Sequence, residues 1–175
     1  MRRWESGGGR GGLMNRITNK NSIVPLSVEL LFNNEKLDLV KTLSLLFVFS
    51  EESGRYRTVS ETLFYYSLVN FELIKLFESN NEERGELNSS HNLYFRFQNK
   101  FNEILLNLFH LKFINIQGDI SKKLEDTKIS LNQNGVEFFT NVNSEYFSDL
   151  IDNYRYAVKK VKWSTVNVQK IKGVR

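Results

Sequence analysis

Apolar residues recur along this chain in two different rhythms, and the change from one to the other sets out its elements. From Leu37 the apolar positions Leu39, Val40, Leu43, Leu46 and Phe47 fall three and four apart, which places them on one helical face. Asn33-Asn34 offers a cap before them, so a buried helix is predicted over residues 35–50. Ser53-Gly54 breaks it. Thr58 or Ser60 can cap a second helix, in which Leu63, Phe64, Ser67, Leu68, Phe71, Ile74 and Leu76 keep helical period to about Glu78. After a polar stretch from Ser79 to Ser90, a third, amphipathic helix is predicted from His91 to Leu111, with Phe97, Phe101, Ile104, Leu105 and Leu108 on its apolar side.

The rhythm then shortens to two. Phe113 to Gln117 and Lys128 to Leu131 alternate as strands do, and the polar run between them, with Asp119, Lys122, Lys123, Glu125 and Asp126, reads as the exposed loop of a hairpin. "KISLNQNGVEFF", Lys128 to Phe139, carries a strand into a polar cap, a glycine and a paired apolar step, and so into another helix. A last long helix is predicted from Ser144 to about Trp163, striped by Tyr146, Phe147, Leu150, Ile151, Tyr154, Ala157, Val158 and Val161. Beyond it Val166, Val168 and Ile171 alternate with polar residues, as in a strand that forms against a partner's sheet edge.

The order helix, helix, helix, strand, polar loop, strand, helix is that of a winged helix. The predicted class is α+β, mostly helical: a winged helix-turn-helix with extra N-terminal and C-terminal helices. Residues 35–163 form the domain. Residues 1–13, rich in Gly and Arg, read as a flexible leader or expression remnant, 14–34 as an N-terminal arm around Pro25, and 164–175 as a basic tail. The 175-residue length suits one domain, since single domains usually run ~100 to 200 residues.

Composition narrows the chemistry. The absence of Cys removes disulfides, thiolate nucleophiles and cysteine metal sites, and fits a cytoplasmic location. His91 and His110 are the only imidazoles and lie too far apart in sequence for an i, i+4 metal pair. No Ser stands in a nucleophile motif with a base beside it, and the paired acids Glu51-Glu52, Glu82-Glu83 and Glu125-Asp126 sit in polar segments, as solvated surface does. The glycines near the N-terminus follow no strand, so they build no phosphate loop. The expectation is a non-enzyme with no catalytic, cofactor or metal residues, no small-molecule substrate and no membrane partner. No apolar run approaches the ~18 residues of a membrane span.

Charge changes the picture more. The net charge of +4 is uneven: residues 1–13 carry +2, residues 159–175 carry +6, and the body between them carries −4. Non-specific DNA affinity comes from Lys and Arg neutralising phosphates, so an acidic body is a poor DNA binder. Between His91 and Leu108 the third helix offers Arg96, Lys100, Asn99, Asn102 and Asn107 opposed by Glu103, fewer cations than a helix that reads a major groove usually carries. Nucleic-acid contact, where it occurs, would fall to Lys159, Lys160, Lys162, Lys170, Lys172 and Arg175. Partner-protein contact is assigned to Tyr156, Trp163, Val166, Val168 and Ile171, because amphipathic rings and apolar side chains beside lysines suit a binding surface.

Over most of residues 35 to 163 the chain resembles the middle components of ABC-three-component anti-phage defence systems, the Lamassu type. The similarity lies in "KLDLVKTLSLLFVFSEE", "TLFYYSLVNFELIKLF", "FQNKFNEILLNLFHLKFINIQ" followed by "KISLNQNGVEFF", and a closing "SEYFSDLIDNYRYAVKKVKW". It is one of architecture and hydrophobic pattern. It implies a non-enzymatic bridging subunit that joins an SMC-like ATPase to an effector, commonly a nuclease, with DNA contacted through the complex. The ATPase would sense foreign or aberrant DNA ends and release the effector. The leader and the basic tail have no counterpart in that pattern. The residues alone leave two other functions open: a winged-helix DNA-binding transcription regulator and a condensin-like accessory subunit.

Overall fold

The computed structural model describes residues 34–53, 56–78, 87–118, 126–141 and 145–173. The leader and nearly all of the arm, the hairpin-loop charges Asp119, Lys122, Lys123 and Glu125, and Arg175 lie outside the described residues. Within them the chain is mostly helical, with a small antiparallel sheet.

Helix α1 (Asn34–Ser53) carries Leu43, Leu45, Leu46, Val48 and Phe49 into the core. It is buried on several sides at once, because the helices Val59–Asn70, Leu87–His110 and Glu145–Lys160 and the strand Lys128–Leu131 all pack on it. The buried hydroxyls of Thr42 and Ser44 are kept from being orphaned by donating to the carbonyls of Asp38 and Val40, at 2.8 and 2.9 Å. Strand β1 (Arg57–Thr58) leads straight into α2 (Val59–Asn70), and Thr58 is the cap: its Oγ1 accepts from the Glu61 N–H at 3.1 Å. Seven consecutive residues of α2, Thr62 to Leu68, are buried, as expected of a helix that is apolar all round.

The second helix does not run on to Glu78. It ends at Asn70, Glu72 takes a left-handed conformation with φ of 55°, and Leu73–Phe77 form a 3₁₀-helix. Two contacts account for the break. The Asn70 side-chain amide donates to the Tyr66 carbonyl at 2.9 Å and to the Tyr154 hydroxyl at 2.6 Å, tying the helix end to α5. The turn at Glu72 then lays Leu73 fully into the core, with Ile74, Leu76 and Phe77 packed against it.

Helix α3 (Leu87–His110) is followed by β2 (Ile114–Gln117) and β3 (Lys128–Leu131), which pair antiparallel with Ile114 opposite Leu131 and Ile116 opposite Ile129. The expected hairpin strands are thus present, and Ile114 and Ile129 point into the core. A third strand joins them without any signal in the sequence pattern. β1 pairs with β3, Arg57 opposite Ile129, so the sheet order is β1-β3-β2.

Helix α4 (Gln133–Asn141) starts where the "LNQNG" passage predicts, with Asn132 Oδ1 accepting from the Gly135 N–H at 3.1 Å. Gly135 is required by proximity. A Cβ there would lie 2.6 Å from the Phe113 carbonyl oxygen and 2.6 Å from a Leu131 methyl, so only a bare backbone lets α4 sit this close to the hairpin. The paired aromatic step follows, with Phe139 against Phe47 at 5.1 Å between ring centroids. Helix α5 (Glu145–Lys160) packs on α1 and α2 through Leu150, Tyr154 and Ala157.

Residues 165–171 are helical, where alternation predicted a strand. Helix α6 (Thr165–Ile171) is capped by Ser164, whose Oγ accepts from the Asn167 N–H at 3.2 Å. The spacing from Val168 to Ile171 is one helical turn, and both side chains join the core. No described helix is long and apolar enough to cross a membrane.

Candidate partner-binding surfaces

Helix α3 presents two apolar faces. Its inner face, Tyr94, Phe97, Phe101, Ile104, Leu105 and Leu108, is buried, and Phe97 stacks on Tyr66 of α2 at 4.2 Å. Its outer face carries Phe95, Asn99, Leu106 and Phe109, and Phe109 is 47% exposed. These positions are spaced by four, seven and three, so they lie one above another along the helix. Leu111, just beyond it, is also exposed. Neither basic residue of α3 belongs to this face. Lys100 donates to Asp38 of α1 at 2.8 Å, and Arg96 lines the cleft between the same two helices. Phe95, Leu106 and Phe109 are not among the contact residues expected from sequence, where their one signal is that they are apolar yet fall off the core stripe.

The residues assigned from sequence to partner contact separate into two groups. Tyr156, Trp163 and Val166 are exposed, by 49%, 41% and 73%. The Tyr156 hydroxyl donates to Glu78 at 2.6 Å, and that bond raises its pKa above the ordinary tyrosine value. Val168 and Ile171 are instead spent on the chain's own core, which corrects their assignment as interface residues in this conformation: helical spacing turns them inward and leaves Val166 alone facing out.

The lysines separate in the same way. Lys159, Lys160 and Lys162 are exposed at the end of α5. The Lys170 ammonium sits 4.5 Å over the Phe77 ring and that of Lys172 lies 5.6 Å over Tyr94, so these two pin α6 to the body by cation–π attraction. The junction between α5 and α6 is held by Tyr65 of α2. Its hydroxyl donates to the Val161 carbonyl at 2.9 Å and accepts from the Trp163 N–H at 3.2 Å.

A cleft of about 590 Å³ lies between the first turns of α1 and the N-terminal half of α3. On one wall, Asp38 accepts from the Tyr66 hydroxyl at 2.7 Å and from Lys100 at 2.8 Å, so each carboxylate oxygen is taken. Lys41 and Arg96 also line the cleft and have no ion-pair partner among the described residues. Burial lowers the Lys41 pKa from its ordinary value, and the nearby Asp38 carboxylate offsets this only in part. Nothing in the sequence joins Asp38 to a lysine sixty-two positions later.

Among the described residues no three His, Asp or Glu side chains come together to hold a metal ion. His110 is exposed at the end of α3. No protein-family model, curated protein or solved structure matches this chain.

Proposed function

We propose that this chain is a winged-helix module that grips partner polypeptides rather than DNA, and that it serves as a non-enzymatic bridge between an SMC-like ATPase and an effector subunit in an anti-phage defence complex. The order α1, β1, α2, α3, β2, β3 and the sheet order β1-β3-β2 support the winged reading. In that reading β2 and β3 are the wing, and α3 stands where a DNA-binding relative would carry its groove-reading helix. The choice of partners follows from the resemblance in hydrophobic pattern.

The observation that carries the proposal is the outer face of α3. A groove-reading face presents cations and amides to phosphates and base edges. Here that face sets Phe95, Leu106 and Phe109 among Asn92, Asn99 and Glu103, while both α3 cations turn toward α1. Exposed aromatic and aliphatic side chains grouped on one rigid face are what a protein interface core is made of. Tyr156, Trp163 and Val166, exposed in the C-terminal part of the chain, offer the bridge further contact residues.

Co-expression with a coiled-coil ATPase and an effector encoded beside it, followed by size-exclusion chromatography, tests the proposal. Co-elution of the three, lost on Leu106→Asp with Phe109→Asp, is the expected result. Elution of the chain alone under all conditions defeats it. So does a homodimer with nanomolar affinity for a palindromic duplex, which is the behaviour of a regulator.

A further inference from the structure

We propose that the cleft between α1 and α3 is a second docking site, which takes an acidic, apolar-anchored segment of a partner polypeptide. This rests on the reading of the chain as a protein-binding module and adds to it the chemistry of one partner.

The argument is one of complementarity. The cleft has two kinds of wall. Leu37, Phe71, Leu93 and Phe97 make it apolar, and Leu93 stands exposed at its rim. Lys41, Arg96 and Lys100 make it cationic, and only Lys100 is neutralised, by Asp38. Lys41 and Arg96 thus add two positive charges to a partly apolar hollow whose one acid, Asp38, is ion-paired to Lys100 and offsets Lys41 only in part. Lys41 bears part of that cost, since burial disfavours its charged form. A carboxylate delivered to the cleft would relieve it, and apolar side chains beside that carboxylate would cover the Leu and Phe walls.

The same walls argue against a phosphate backbone. A duplex offers a dense row of charges and no apolar side chains, and its affinity grows with the number of cations it meets. Two such cations beside the Asp38 carboxylate, on a body of net −4, are a weak match to it. They match a peptide with two or three acids flanking a Leu or Phe. The cleft is also separate from the outer face of α3, because Arg96 and Lys100 lie on the flank turned to α1, so both surfaces can be filled at once.

The experiment uses the full 175-residue chain and a random dodecapeptide display library. Enriched peptides are then synthesised with a fluorophore and titrated by polarisation. The expected peptides pair Asp or Glu with Leu or Phe. Their affinity should fall about tenfold or more on Lys41→Glu with Arg96→Glu, a change of about 1.4 kcal/mol or greater, and should fall with added salt. Neutral Lys41→Gln with Arg96→Gln should give an intermediate loss, and a cooperative thermal transition at the wild-type temperature shows that both variants fold. Binding should persist in the Leu106→Asp, Phe109→Asp chain that no longer holds the three-part complex together, which separates failure of this site from failure of the bridging role. Enriched peptides without acids, affinity indifferent to the charge reversal, displacement by a short DNA duplex, or a self-association abolished by the same reversal would each overturn the proposal. So would a library that enriches nothing on the native chain beyond what it enriches on the charge-reversed one.

Discussion

The two faces of α3 are made of the same kinds of residue and meet opposite fates. Phe97, Phe101, Ile104 and Leu108 on one side are sealed by α1 and α2, while Phe95, Leu106 and Phe109 on the other stay 45%, 39% and 47% exposed. The short helix α6 repeats the contrast, with Ile171 fully buried and Val166 the most exposed large apolar residue described. Hydrophobicity therefore does not by itself say which side chains hold the fold. Position relative to a neighbouring element decides that, and the apolar residues left over are the ones available to a partner.

If the inner faces are structural, emptying them should cost most. Phe101→Ala removes a fully buried ring that contacts both Tyr66 and Phe97, and should destabilise the chain by ~3 to 5 kcal/mol in chemical denaturation. Ile171→Ala should cost ~2 to 5 kcal/mol. A loss that small surface changes would also give would mean that α6 is not part of the core and would restore the tail expected from sequence. At the flank between the faces, Asp38→Ala removes the acceptor that the Tyr66 hydroxyl and Lys100 share, with an expected cost of ~1 to 3 kcal/mol. The outer face should behave in the opposite way. Leu106→Asp and Phe109→Asp should each stay within about 0.5 kcal/mol of the parent while abolishing partner binding, and a large loss of stability there would collapse the distinction between the two faces.

The smallest expected effect concerns pH. Burial raises the Glu61 pKa from its ordinary value, with the Arg57 guanidinium, bonded to it at 2.7 Å, pulling the other way. A carboxyl whose folded pKa is raised favours folding while it is protonated, below its unfolded value of about 4.3. That contribution disappears as pH climbs through the folded value. Thermal melts of the parent and of Glu61→Gln across the acid range should show the parent losing ground to the variant as pH rises.

Much of the fold could be read from the order of residues, and the exceptions have identifiable causes. The hairpin was legible because period two is unambiguous when one side is buried, as Ile114 and Ile129 show. The start of α4 was legible because Asn132 and Gly135 each have one job there, the first as a cap and the second as a point of close approach. β1 was not, since two residues, Arg57 and Thr58, establish no rhythm. The end of α2 was hidden because apolar residues continue past it, and the break depends on Asn70 reaching Tyr154, eighty-four positions away. For α6, Val166 and Val168 stand two apart as in a strand while Val168 and Ile171 stand one helical turn apart, and the cap at Ser164 tips the balance toward helix. The surfaces divided along the same line. Tyr156, Trp163 and Val166 were found from composition beside lysines, whereas the cleft is assembled from α1 and α3 and has no trace in either segment alone.

The paired bonds of the Tyr65 hydroxyl have a mechanical meaning. They hold the peptide units of Val161 and Trp163, and Tyr65 itself belongs to the middle of a buried helix. A pull applied to the exposed indole would thus be delivered to the centre of the globule instead of being absorbed by slack chain. Displacing Trp163 would therefore load helix α2 as well as the junction that follows α5.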